Sequence, residues 1–117
     1  MKPIILIPTY NESIAIVELL QQLSTLHNAR DFDVIVLDDN SPDKTADIVD
    51  NLHHDWVRVL RRPGKAGLGA AYRAGFAEVL TTDKYTHVIT MDADGSHRVE
   101  DLPAMMDAMH TSDISIT

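Results

Sequence analysis

The chain has 117 residues, with 10 Lys plus Arg against 18 Asp plus Glu, a formal charge of −8, and no basic run, so nucleic acid is excluded as an expected partner. A length of this order predicts one domain able to bury about two thirds of its unfolded surface. Neither a run of about 18 apolar residues nor a signal-peptide pattern occurs, and cysteine is absent, which together predict a cytoplasmic protein without disulfides or thiolate metal sites.

In chain order, short β-branched or apolar runs at 4–7, 34–37, 57–60, 88–91 and 114–116 predict five strands. Ile16, Leu19, Leu20 and Leu23 follow the i, i+3, i+4, i+7 spacing of a helix. So do Thr45, Ile48, Val49 and Leu52; Tyr72, Phe76, Val79 and Leu80; and Leu102, Met105, Met106 and Met109. The methionines are read as core filler. Strand and helix alternating in units of about 30 residues predict right-handed βαβ crossovers around a mainly parallel sheet, an α/β doubly wound fold. Arg58 within the third strand marks it as an edge, which suits the order 3-2-1-4.

In such a sheet ligands bind beyond the carboxyl ends of the strands. The loops expected there are "PTYNE" (8–12), "DDNSPDKT" (38–45), "RRPGKAGLGAAY" (61–72) and "DADGSH" (92–97), each rich in polar groups or glycine. Helix-to-strand returns such as "TTDKYT" read as plain connections. Thr9 and Glu12 fit a capping box, and Ser41-Pro42 reads as an N-cap followed by proline at the first helical position. Asp38 and Asp39 end a buried strand, where a carboxylate needs a donor such as a ribose hydroxyl, a base N–H or a backbone amide. Gly64, Gly67 and Gly69 either make a flexible turn or, with Lys65, let the backbone approach a nucleotide phosphate. His53 and His54 are assigned to the surface, and His97 is read as a cap or solvated side chain ahead of the alternative of a ligand or base.

Two glycine motifs are excluded. "GLGAAY" places Tyr72 where a dinucleotide fingerprint needs a small residue, and "GKA" lacks the spacing and hydroxyl residue of a P-loop. Asp92 and Asp94 follow the fourth strand with one alanine between them. At about 5 Å two carboxylates repel by roughly 3 kcal/mol at an effective dielectric of about 20, so either solvent or a shared cation must offset them. Mg2+ or Mn2+ can take two such carboxylates and complete its shell from a diphosphate and water.

"PTYNE", "LDDNSPDKT", "GKAGLGAAY" and "MDADGSH", in that order and spacing, resemble the inverting family 2 glycosyltransferases, and within them the dolichyl-phosphate (polyprenyl-phosphate) mannose synthases. The "GLG-x-AY" element favours the mannosyl branch. The resemblance implies a GT-A, nucleotide-diphospho-sugar transferase-like fold, a GDP-mannose donor, and mannose transfer with inversion to a polyprenyl phosphate acceptor at the cytosolic membrane face, the protein being peripheral to the membrane. By position, it places the nucleotide-sugar pocket on Pro8, Tyr10, Glu12, Leu37 and Asp39, with Lys65, Gly67 and Ala93 bordering the donor. Asp92 and Asp94 become the metal carboxylates, with Ser96 a third ligand, for Mg2+ or Mn2+; no catalytic base is assigned. Residues 1–117 are then the nucleotide-sugar-binding half of a truncated GT-A domain. In relatives the chain continues beyond "SDISIT" into a half that holds the acceptor site, here expected from a C-terminal half or a second chain. Arg98-Val99 departs from the family in lacking the proline that usually follows the histidine by two positions.

Two other classes are weighed. A phospho-acceptor receiver domain has a similar sheet, but expects acidic residues after the first strand and a phosphorylatable aspartate after the third, where this chain has "PTYNE" and "RRPGK". A non-catalytic nucleotide-sugar-binding fragment or subunit is the closer rival.

Overall fold

The computed structural model describes residues 2–64, 67–95 and 98–109. Strands β1 (Lys2–Thr9), β2 (Asp33–Asp38), β3 (Val57–Arg61) and β4 (Tyr85–Thr90) alternate with helices α1 (Ser13–His27), α2 (Thr45–Asp50), α3 (Leu68–Val79) and α4 (Leu102–Met109). A single 3-10 turn, Val99–Asp101, leads into α4. All three strand pairings are parallel and the order is β3-β2-β1-β4, as the sequence predicts. The fifth expected strand, 114–116, lies outside the described residues.

Because successive strand residues face opposite sides, each buried strand feeds two cores. Ile5, Ile7, Val34, Val36 and Ile89 pack with Ile16, Leu19, Leu20 and Leu23 of α1 and with Leu102 and Met106 of α4. On the other face Ile4, Leu6, Ile35, Leu37 and Val88 pack with Ala71 and Val79 of α3. Burial on both sides is why β1 and β2 read as continuous apolar runs without alternation. Gly75 lets α3 settle onto the sheet: a Cβ there would lie 2.9 Å from a Leu6 methyl and 3.0 Å from one of Leu37.

Several boundaries differ from the periodicity. α3 ends at Val79, and Leu80, expected in the core, is 81% exposed at the C-cap. α2 stops at Asp50, leaving Leu52 in the following turn. Tyr85 and Thr86, read as connection, begin β4. His53 is exposed, but His54 is half-buried against Trp56 at a ring separation of 4.9 Å. Trp56 in turn stacks on His27 at 4.5 Å and meets Phe32 edge-on.

The amino edge of the sheet is richer in polar contacts than the sequence suggested. Asp33 accepts a 2.6 Å hydrogen bond from the Tyr85 hydroxyl and pairs with Lys2 at 3.0 Å and Lys84 at 3.2 Å. Those contacts tie β2, β1 and β4 together at their starts. Beside them lies a hollow of about 330 Å³, whose lining includes Trp56, Arg58, Lys84 and Tyr85. Its half-buried carboxylate, Asp33, is already satisfied by these donors.

Candidate nucleotide-binding cleft

At the opposite, carboxyl edge, the loops after β1, β2 and β4 and the first turns of α3 enclose a cleft of about 350 Å³. The end of β1 and the loop after it contribute Pro8, Thr9, Tyr10 and Glu12, and the loop after β2 contributes Asp39. Gly67, Leu68 and Ala71 come from the start of α3, and Asp92, Ala93 and Asp94 from the loop after β4. Leu37 stands apart from this lining, its side chain fully buried in the core beneath Gly75. Lys65, Ser96 and His97 lie outside the described residues.

The local sequence explains how the loops turn so sharply. Asn11 and Asn40 adopt φ of 53° and 58°, a left-handed conformation that asparagine tolerates better than most side chains. Gly67, with φ of 92°, precedes α3, and Gly95, with φ of 86°, follows the Asp92 and Asp94 pair.

Both capping patterns are corrected by the fold. No side-chain cap closes α1: Glu12 Oε1 instead accepts the Tyr10 N–H at 3.1 Å, and the Thr9 hydroxyl donates to Asp38 Oδ1 at 2.7 Å. Ser41 and Pro42 lie in a turn ahead of α2, which begins at Thr45. The Ser41 hydroxyl and N–H both donate to Asp38, at 2.6 and 3.0 Å, and Ser41 Oγ accepts the Asn11 N–H at 2.9 Å. Asp43 takes over at the start of α2, accepting from the Thr45 N–H and hydroxyl and, across the loops, from the Ser13 N–H. Desolvation is the largest single influence and raises its pKa, but those donors together outweigh it and hold the Asp43 carboxyl below its usual value.

The adjacent aspartates therefore have different surroundings. Asp38, 2% exposed, is surrounded by donors from its own and the neighbouring loop and does not line the cleft. Asp39 lines it, and its Oδ1 accepts a 2.6 Å bond from Arg62 Nε. Arg62, like Tyr72, was not singled out from the sequence as a site residue. The signal for Arg62 is register: β2 and β3 pair in parallel with Asp38 beside Arg61, so the next residues on each strand emerge together. Tyr72 of α3 brings its hydroxyl into hydrogen-bonding reach of Asp92 and Thr90, and burial, then the Asp92 charge, raises its pKa above the ordinary value.

Glu12, Asp39, Asp92 and Asp94 make the cleft strongly anionic, with Asp39 partly offset by Arg62. Among the described residues no group of three His, Asp or Glu side chains converges as a metal cluster. The donor set is two cleft-lining carboxylates with one residue between them, which fits a hard cation that keeps most of its shell for substrate oxygens and water. Among the described residues no helix is long and apolar enough to cross a membrane.

The pattern of glycosyl transferase family 2 matches residues 4–117. The chain belongs to that family. Its four-stranded parallel α/β sheet is consistent with the GT-A fold of family 2 domains. Among curated relatives, it is 44% identical to the undecaprenyl-phosphate mannosyltransferase of Micrococcus luteus, over 99% of this chain and 47% of that one. It is 40% identical to the polyprenol monophosphomannose synthase of Mycolicibacterium smegmatis, over 92% of this chain and 41% of that one. The dolichol-phosphate mannosyltransferase of Pyrococcus furiosus is 35% identical over 99% of this chain and 32% of its own length. The chain thus spans less than half the length of each of these relatives.

Proposed function

We propose that residues 1–117 form the donor and metal half of a mannosyltransferase that moves mannose from GDP-mannose to a polyprenyl (dolichyl) phosphate with inversion. The observation that carries the reading is convergence: three strand ends and the start of α3 bring Asp39, Asp92, Asp94, Tyr10 and Glu12 to one cleft. The three relatives described above, all polyprenyl- or dolichol-phosphate mannosyltransferases or synthases by name, support the sugar and the acceptor class.

In this reading Asp39 and Glu12 accept hydrogen bonds from the nucleoside, while Pro8 and Tyr10 wall the pocket. Gly67, Ala93 and Lys65 border the diphosphate and sugar. A cleft with four carboxylates would repel a bare diphosphate, so Asp92 and Asp94, with Ser96 as a third ligand, are assigned to hold Mg2+ or Mn2+ beneath it. When bound, that cation would offset the charge gathering on the departing diphosphate. Chemically, an acceptor phosphate oxygen bonds to the anomeric carbon as the bond to the β-phosphate oxygen breaks, and GDP leaves with the electron pair. The acceptor is already an anion at neutral pH, so no residue is assigned as base. The acceptor phosphate is proposed to be held by a C-terminal half or a second chain at the membrane face.

Calorimetry with GDP, UDP and ADP in the presence of Mn2+ tests the nucleotide assignment. GDP should bind tightest, and Asp39→Ala should flatten the preference. Tighter binding of UDP by the parent chain would overturn the GDP-mannose assignment while leaving the family membership intact. A longer protein from the same gene that binds GDP-mannose yet transfers nothing would favour a non-catalytic nucleotide-sugar-binding subunit.

A further inference from the structure

Arg62 reaches from the end of β3 into the gap between β2 and α3, and three hydrogen bonds, two to the end of β2 and one to α3, fasten it. Its Nε donates to Asp39 Oδ1 at 2.6 Å, a terminal guanidinium nitrogen donates to the Ala70 carbonyl at 3.1 Å, and its backbone N–H donates to the Asp38 carbonyl at 2.8 Å. The other arginine ion pairs in the described residues, at Arg30, Arg58, Arg61 and Arg98, have a side chain about half exposed or more on at least one partner. The Arg62 and Asp39 side chains are only 14% and 9% exposed. Such a pair is held far more rigidly than a surface one, because separating the partners would leave a mostly dehydrated charge uncompensated.

Its placement relative to the cleft is the second observation. Asp39 lines the cleft, whereas Arg62 does not. The planar guanidinium has a fixed fork, and with one arm on Asp39 and another on the α3 backbone it holds the carboxylate in one orientation. Among the described residues no other side chain bonds that carboxylate. Its remaining acceptor capacity is therefore available to a ligand at a defined angle.

We infer that Arg62 is a positioning residue that sets nucleobase selectivity through Asp39, aiming an acceptor-only carboxylate at a base edge that presents adjacent N–H donors. This rests on the nucleotide reading of the cleft. A base presenting two such donors gains two parallel bonds from a correctly aimed carboxylate. One presenting a single donor, or an acceptor, gains at most one and is less sensitive to the aim. Loss of Arg62 therefore costs the favoured base more than the others.

The test is calorimetric titration of GDP and UDP with Mn2+ present, on the chain as it stands and on Arg62→Gln, Arg62→Lys, Asp39→Asn and the Arg62→Gln/Asp39→Asn double variant. Arg62→Gln should weaken GDP by about tenfold and UDP far less, so that the preference shrinks; such a loss corresponds to one charge-assisted hydrogen bond. Arg62→Lys should fall between, since an ammonium can reach Asp39 but cannot keep the second arm on Ala70. On the Asp39→Asn background, Arg62→Gln should change the preference no further. Equal weakening of GDP and UDP by Arg62→Gln, in a protein whose circular dichroism and melting are otherwise intact, would show a merely structural role and overturn the inference. If Arg62→Gln does not fold, Arg62→Lys decides in its place: a smaller GDP preference than the parent supports the inference and an unchanged one overturns it. A parent without GDP preference, or one whose preference survives Asp39→Asn, removes the base-pocket reading itself. Flattening by Asp39→Asn without flattening by Arg62→Gln removes only the role of Arg62.

Discussion

Thr9 and Asp38 stand side by side at the carboxyl ends of β1 and β2, and the Thr9 hydroxyl donates a 2.7 Å bond to the Asp38 carboxylate. Ser41 adds two more donors to the same group and accepts the Asn11 N–H, so one buried carboxylate joins the two loops that carry Tyr10 and Asp39. Asp38→Ala strands these donors and should destabilise the chain by about 2–4 kcal/mol, against about 1 kcal/mol for Thr9→Val, which leaves the Ser41 bonds in place. Urea denaturation monitored by circular dichroism measures both. Equal, small effects would mean that solvent replaces the network at little cost.

For the cation, GDP binding should require Mn2+ or Mg2+, and Asp94→Asn should weaken it by at least about tenfold, the loss expected when one of two carboxylate ligands becomes neutral. Titration with and without EDTA checks this. The same GDP affinity in both buffers would remove the metal from the account.

At the amino edge, pH dependence follows from Asp33 and Tyr85. Burial alone would raise the Asp33 pKa, but hydrogen bonds from Tyr85, Lys2 and Lys84 outweigh it and hold it below the ordinary 3.8. A depressed carboxyl pKa contributes stability that is present above the unfolded value and lost as pH falls through the folded one, so this part should disappear in acid below about pH 4. Tyr85 is pushed the other way, to about 12, by burial first and then by its bond to Asp33. Its contribution is complete below the unfolded value of 10.0 and is lost as pH rises toward 12. In Asp33→Asn the acid contribution should vanish and the Tyr85 phenolate should form at lower pH in an ultraviolet titration. An unchanged titration curve would mean that burial alone sets the tyrosine.

Gly75→Ala tests the approach of α3 to the sheet. Alanine gains about 1 kcal/mol of helix propensity, but its Cβ meets Leu6 and Leu37 methyls inside van der Waals contact, an overpacking cost of about 1–3 kcal/mol. A net loss of about 1 kcal/mol is expected, and combination with Leu37→Val should be less than additive because the second change vacates the contested space. Simple additivity in chemical denaturation would argue that the helix shifts outward instead.

Transfer needs the acceptor phosphate held in line with the anomeric carbon, and such positioning supplies roughly 7–11 kcal/mol of barrier lowering. On the proposed function, residues 1–117 alone should therefore show no detectable mannose transfer from GDP-mannose to a short polyprenyl phosphate. Robust turnover by the purified 117-residue chain, abolished by Asp94→Asn, would place the acceptor site within it.

Periodicity in the sequence determined the alternation of strands and helices, the order β3-β2-β1-β4, and the edge at which the motif loops gather. Such features follow from local spacing and from the handedness of βαβ crossovers, which any stretch of about 30 residues carries within itself. Tertiary structure alone decided which polar group meets which. Thr9 and Ser41 match local capping patterns, yet both turn to Asp38, because satisfying a buried carboxylate outweighs a helix cap worth about 1 kcal/mol. Asp38 and Asp39 are identical neighbours in the sequence; the pleat directs one into the loop network and the other to the cleft and Arg62, 23 residues away. Tyr72 reaches Asp92 only because α3 lies against the same sheet edge. For Thr9 and Arg62 the partner is set by which distant segments the hydrophobic core brings within hydrogen-bonding distance, and no local spacing encodes that.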